Sequence, residues 1–278
     1  MNLSMSEQLM HSTVRIEVLN GAGQIQSTGT GFFFLYSIKG ENNVPVLVTN
    51  KHVVRDAKLG RLVFTIATEG NIPKYGETFS YIIQDFEKSF IFHPDDNVDL
   101  CIMPMFPVIE DARARHNKNL FTISLDESII PSTEQVRNLS ALEDVIMVGY
   151  PNGLWDEANN LPIIRRGITA VHPKFDYNHK TDIVVDIASF PGSSGSPICI
   201  FNQGSYASGD GIIIGSRFLL LGILYAGPQQ TAIGEIQTVT IPTSVVPIAR
   251  TNVMMNLGYA VKSRRLLDFK SILEPLVN

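Results

Sequence analysis

Short runs of β-branched and aromatic residues recur along this chain, each closed by Gly, Pro, Asn or Asp, and that rhythm limits its fold more than any other feature. Ser12–Leu19, Thr30–Tyr36, Val44–Thr49, Arg61–Ala67, Thr78–Asp85 and Asp99–Met103 make a first series of candidate strands. Asp144–Gly149, Ile163–Val171, Ile183–Ala188, Ser196–Phe201, Phe218–Ala226 and Thr238–Pro242 make a second. Regularly spaced strands with turn residues between them predict an all-β barrel or sandwich. Strands do not alternate with helical segments, which argues against a doubly wound α/β sheet. Between the series, Met105–Leu142 is more polar, holds Pro107 and Pro131, and reads as linker plus loop. In the tail, Leu266, Leu267, Phe269, Ile272 and Leu273 have helical spacing, which predicts a C-terminal helix packed on the body. The expected organisation is one unit over 1–278: an N-terminal barrel with linker at 12–135, a C-terminal barrel at 140–250 and a helical tail at 255–278.

With 278 residues, 44% of them hydrophobic and 18% charged, the chain can bury a sizeable core and is too weakly charged for disorder. A net charge of -5 without any Lys/Arg-rich run argues against nucleic acid as partner, because phosphate contacts need a basic face. No apolar run reaches the ~18 residues of a membrane helix. The first residues lack a basic start, an apolar stretch and a small-residue cleavage site. Only Cys101 and Cys199 are present, too few for a disulfide framework, although a bridge between the two stays open. A soluble, reducing, cytoplasmic setting is therefore expected. His172, His179, Asp176 and Asp182 read as a chance grouping in a polar loop, so no metal site is expected, and nothing calls for a cofactor.

Three short motifs carry chemistry. In Pro191-Gly192-Ser193-Ser194-Gly195-Ser196-Pro197, glycines let a tight turn expose Ser194 and aim backbone N–H groups, those of Gly192 and Ser194, toward one point. Serine needs a base, and Val48-Thr49-Asn50-Lys51-His52-Val53-Val54 offers His52 where an apolar strand ends in polar residues. An imidazole base needs an orienting carboxylate, and Asp99 opens the apolar strand Asp99–Met103. His11, His93, His116, His172 and His179 have no comparable context; Asp95 and Asp96 lie in a polar turn before the strand. All three motifs, in the order His, Asp, Ser, point to nucleophilic acyl transfer.

These motifs resemble those of trypsin-like peptidases, and the HtrA-type branch more than the secreted digestive enzymes. Ser27-Thr28-Gly29-Thr30-Gly31-Phe32-Phe33 looks like that branch's G-S-G-x-G-F strand, and Thr49–Val54 like its T-N-x-H-V-V. Asp99-Leu100 resembles its D-L-A. Val145–Gly153 resembles V-x-A-I-G-N-P-x-G, and Pro191–Pro197 resembles P-G-N-S-G-G-P. Leu221-Gly222-Ile223 and Ile241-Pro242-Thr243 match later strands, so the resemblance spans roughly residues 12–250. It implies two six-stranded antiparallel β-barrels with the site between them, and a triad of His52, Asp99 and Ser194 acting on a polypeptide substrate. Ser196 departs from the second glycine of the pattern. Ser193 stands where the digestive enzymes carry an Asp that pairs with a new N-terminus, so activation by zymogen cleavage is not implied. There is no room for a PDZ domain after the second series.

The same resemblance places a specificity pocket beside Ala188, Ser189, Phe190 and Pro191 and the strand Leu224-Tyr225-Ala226-Gly227. Ala188 stands in place of a trypsin's aspartate, and Leu224 in place of the histidine with which viral 3C-like proteases read Gln or Glu. A small or apolar residue before the scissile bond is the preference implied. The alternative to a constitutive peptidase is a latent module that binds, or awaits an activating protein partner.

Overall fold

The computed structural model describes residues 3–38, 42–208, 211–235 and 248–277. The expected strand Thr238–Pro242, and with it Ile241-Pro242-Thr243, lies outside the described residues. The first half is a nine-stranded sheet: β1 (Thr13–Leu19), β2 (Ile25–Ile38), β3 (Asn42–Thr49), β4 (Leu59–Ala67), β5 (Pro73–Gln84), β6 (Ile91–Phe92), β7 (Cys101–Pro104), β8 (Leu120–Phe121) and β9 (Leu125–Asp126). Its main path runs β5-β4-β1-β2-β3-β7-β6. The second half contains β10 (Asp144–Gly149), β11 (Ile163–Thr169), β12 (Asp182–Asp186), β13 (Pro197–Asn202), β14 (Ser205–Ser208), β15 (Gly211–Ile214), β16 (Arg217–Ala226), β17 (Gln229–Glu235), β18 (Ile248–Met254) and β19 (Leu257–Lys262). Six of these close a barrel in the order β10-β11-β12-β19-β16-β13, while β14-β15 and β17-β18 are separate two-stranded sheets.

The two-residue alternation of strand side chains explains how the halves fit together. Val14, Ile16 and Val18 of β1 join Phe33, Leu47, Leu62, Phe64, Cys101 and Met103 in one apolar cluster. Tyr81 and Ile83 of β5 and Phe92 of β6 reach the same cluster from the two ends of the strand order, so the sheet is curled around it. The other face of β2 carries Phe32, Phe34, Tyr36 and Ile38 into a second cluster, with Cys199, Leu220, Ile223 and Val261 of the barrel's outer wall. Val145, Met147, Val185, Ile198, Leu219 and Ala260 fill the barrel itself. β2 is thus a shared wall between the two halves. Along that seam β1 buries its polar face too: Glu17 pairs with Arg15 and Arg61, and the Arg15 guanidinium lies 3.8 Å from the Trp155 ring centroid.

The tail follows β19 directly. Ser263–Phe269 is a 3-10 helix, Lys270–Leu273 a turn of α-helix and Glu274–Val277 a 3-10 turn. Leu266, Phe269 and Leu273 enter the seam cluster, and Tyr36 Oη donates to Leu266 O at 2.8 Å. Leu257–Lys262, placed by its sequence in the tail, is instead the barrel strand β19; Gly258 and Ala260 suit a crowded barrel but lack the β-branched signal of a strand. The expected linker also differs, since Phe106–His116 is an α-helix with Pro107 in its first turn, where a missing N–H does no harm. No helix among the described residues is long and apolar enough to cross a membrane.

Candidate active site

His52 leaves β3 on a single helical turn, Lys51–Val54. Asp99 lies just before β7, which pairs with β3 through Thr49↔Cys101, so the sheet register brings the two residues together. His52 Nδ1 is 2.5 Å from Asp99 Oδ2, and the His52 backbone N–H donates to Asp99 Oδ1 at 3.1 Å. Asn50 Nδ2 donates to Asp99 O at 2.7 Å, fixing the backbone of the acid as well as its carboxylate. An acceptor on Nδ1 leaves Nε2 as the ring nitrogen free to take a proton. The His52 side chain is 46% exposed and that of Asp99 26%, so the imidazole faces solvent and the carboxylate is tucked behind it.

The loop before Asp99 is tied to the tail. His93 is buried, accepts from Asp95 N through Nδ1 at 3.1 Å and meets Asp268 Oδ2 through Nε2 at 3.0 Å. Arg265 reaches Asp95 Oδ2 at 2.9 Å, and Lys51 Nζ donates to Asp95 O at 3.0 Å.

Ser194 lies in the second of two consecutive turns that share Ser193. Ser193 N donates to Phe190 O at 3.0 Å around Pro191-Gly192, and Ser196 N donates to Ser193 O at 3.0 Å around Ser194-Gly195. Gly192 has φ +84° and Gly195 φ +89°, both at the third position, which defines type II turns. Crowding reinforces the demand for glycine. A Cβ on Gly195 would meet Thr30 O at 1.9 Å, and one on Gly192 would meet Tyr150 O at 2.5 Å. In a planar trans peptide the C=O and the N–H point opposite ways. Asn152 N holds Pro191 O at 2.5 Å, so the Gly192 N–H points away from Asn152. Ser193 O is held by its own turn, so the Ser194 N–H points away from Ser196. Neither N–H has a protein acceptor among the described residues.

Thr30, on the shared wall β2, locks this double turn to the first half. Its N–H donates to Ser194 O at 2.8 Å. Its Oγ1 donates to Gly192 O at 2.9 Å and accepts from Tyr150 N at 3.1 Å. Thr49 Oγ1, at the end of the strand that leads to His52, donates to Thr30 O at 2.8 Å. Two threonines thus connect the His52 turn to the Ser194 turn. Ser194 Oγ itself donates to Tyr225 O at 3.4 Å and makes no hydrogen bond to His52.

Beside Ser194 lies a cavity of about 240 Å³ lined by Ser189, Phe190, Pro191, Leu224, Ala226 and Gly227. Of the residues expected there, Ala188 and Tyr225 do not line it. The Ala188 carbonyl accepts from Arg165, while Tyr225 turns its hydroxyl to Asp182 Oδ2 at 2.8 Å. Burial raises the pKa of both the Asp182 carboxyl and the Tyr225 phenol. A larger cavity of about 510 Å³, between the 127–137 segment, Pro173-Lys174 and the tail, contains none of these residues. Cys101 and Cys199 are free, buried thiols whose pKa burial pushes up. Asp176 is taken by Lys262 and Arg264, and among the described residues no group of three His, Cys, Asp or Glu is arranged to hold a metal.

The three motifs do not assign a role to Thr30, Thr49, Asn50, Asn152 or Arg165. Thr30 and Thr49 are polar residues at apolar strand positions, a readable signal; Arg165, next to Arg166, carries none.

A β-sheet half and a closed barrel joined at a His-Asp pair and a glycine-bracketed serine describe the architecture of a chymotrypsin-fold peptidase. Residues 29–206 match the family model described as trypsin-like peptidase domain, and the chain belongs to that family. Among solved structures, the MamO protease domain from Magnetospirillum magneticum (apo form) aligns at 13% identity over 95% of this chain and 97% of that one, with a TM-score of 0.44. Rv3671c from M. tuberculosis H37Rv in an inactive form aligns at 13% identity over 93% and 84%, with a TM-score of 0.41. The active form of the same protease aligns at 12% identity over 93% and 79%, again with a TM-score of 0.41. No curated protein matches the sequence.

Proposed function

We propose that this chain is a serine endopeptidase that cleaves polypeptides through His52, Asp99 and Ser194. The observation that carries the reading is the bonded His52–Asp99 pair, joined through Thr49 and Thr30 to the turn that bears Ser194. His52 Nε2 takes the Ser194 proton as Oγ attacks the peptide carbonyl, and Asp99 stabilises the imidazolium. The N–H groups of Gly192 and Ser194 hold the oxyanion. His52 then protonates the leaving amine, and water attacks the acyl-enzyme by the reverse path. Side chains and water suffice for this chemistry.

The substrate lies as an extended strand along Tyr225–Gly227, with a small or apolar side chain in the cavity beside Ser194. Leu224, Ala226 and Phe190 give that cavity an apolar lining with no carboxylate or imidazole to select a charged or amide side chain. Two buried free thiols fit a reducing, cytoplasmic setting. One observation favours a second reading, a latent module switched by a protein partner: the Ser194 hydroxyl faces Tyr225 O rather than His52.

Fluorophosphonate labelling with mass mapping of the adduct separates the two. Labelling at Ser194, abolished in Ser194→Ala and His52→Ala, is expected. A folded wild type that stays unlabelled would favour the latent module.

A further inference from the structure

Arg165 has no role in the triad, yet its guanidinium reaches under the nucleophile turn. It lies on β11, paired with Met147 of β10, and its guanidinium points toward the 188–193 segment. One terminal nitrogen donates to Ala188 O and the other to Ser193 Oγ, the latter at 2.6 Å. Ser193 is fully buried and shared by both turns: its N–H closes the first and its C=O closes the second. The two contacts therefore clamp the start of the segment and the junction between the turns.

The guanidinium is an unusual choice for a purely structural contact. No carboxylate pairs with it among the described residues, its Nε is buried without a partner, and burial pushes its pKa down. A partly buried cation without a counter-charge costs stability. What the arginine offers in return is geometry: a rigid planar fork that holds two acceptors at a set separation, which a lysine cannot do. The two acceptors bracket Gly192, and Ser193 precedes Ser194, so the fork supports the segment that carries both N–H groups assigned to the oxyanion.

We infer that Arg165 is a positioning residue that keeps the oxyanion turn in its working shape without any cleavage at the amino terminus, an inference that rests on the serine-peptidase reading. The fork bridges Ala188 to Ser193 within a chain that has no carboxylate at position 193.

The test compares wild type, Arg165→Met, Arg165→Lys and Ser193→Ala for the rate of fluorophosphonate labelling at Ser194, read beside each thermal melt. Loss of the fork should slow phosphonylation on the order of 10²-fold in Arg165→Met, as for a lost oxyanion donor. The probe's binding constant should hold, while the melting temperature should fall modestly because Ala188 O and Ser193 Oγ lose their donor. Arg165→Lys, which keeps the charge and loses the fork, should remain slow, and Ser193→Ala should fall between. Melting temperatures that drop while folded variants label within twofold of wild type would overturn the proposal and leave Arg165 a structural residue. Rescue to the wild-type rate by Arg165→Lys would also overturn it, because charge alone would then suffice. If Arg165→Met does not fold, Arg165→Lys and Ser193→Ala decide. Absence of labelling in wild type would fell the peptidase reading together with the latch, a result distinct from equal labelling of the variants.

Discussion

The two sides of the site are built on different principles. The His52–Asp99 side is held by direct side-chain bonds between neighbouring strands of one sheet, with the acid's carboxylate and carbonyl both engaged. The Ser194 side is held almost wholly through its backbone, by two glycine turns whose carbonyls are occupied by Thr30, Asn152 and the turns themselves. Its one reactive side chain is left on a long bond to Tyr225 O. The lesson is that the imidazole is fixed in advance, while Ser194 gets a rigid platform and a rotatable hydroxyl. Rotation of one hydroxyl is cheap, whereas misplacing an N–H in a buried turn is not.

The largest effects should come from breaking either side outright. Ser194→Ala or His52→Ala should lower turnover of a peptide substrate by on the order of 10⁴–10⁶, and Asp99→Asn by about 10⁴. Equal residual activity in the single and the double Ser194→Ala/His52→Ala variants would show that the two sides work as one unit. Next, Gly195→Ala should damage the platform, because its Cβ would lie 1.9 Å from Thr30 O at a φ of +89°. A fall in melting temperature worth several kcal/mol is expected; wild-type stability would mean the turn is not so confined.

Smaller changes sharpen the contrast. Thr30→Val keeps the shape and removes the hydroxyl that bridges Gly192 O and Tyr150 N. It should cost about 1–3 kcal/mol of stability and slow labelling of Ser194, while Thr30→Ser should be near wild type. On the base side, Asp268→Asn weakens the tie from the tail to His93 and should lower turnover only a few-fold, since His52 and Asp99 keep their own bonds.

The mildest effect is a pH slope in the barrel. The Asp182 carboxyl has its pKa raised by burial above the ordinary 3.8. Its protonated form is favoured in the fold, so its contribution is complete below the unfolded value and is lost as pH rises through the folded one. Asp182→Asn should therefore gain stability relative to wild type as pH rises above about 4, read by thermal melts between pH 4 and pH 7. Labelling of Ser194 should change little, because Tyr225 contacts the serine only through its carbonyl.

The strand rhythm and the three motifs were legible because each is local: a period of two, a glycine-bracketed serine, a histidine at a strand end. Tertiary context decided the rest. Leu257–Lys262 closes the barrel with Gly258 and Ala260 interrupting the strand-forming Tyr259 and Val261. Pro107 reads as a breaker, yet it begins the helix Phe106–His116. The fork of Arg165 and the Asp95–Arg265–Asp268–His93 network join residues far apart in sequence, and no spacing rule exposes such contacts.

A crystal structure of the protein after fluorophosphonate treatment tests the central claim most directly. The account predicts phosphorus bonded to Ser194 Oγ, with the hydroxyl oxygen rotated away from Tyr225 O toward His52 Nε2. The phosphoryl oxygen should sit about 2.7–3.1 Å from the N–H groups of both Gly192 and Ser194. An adduct on another residue, or a phosphoryl oxygen that meets neither N–H, would contradict it.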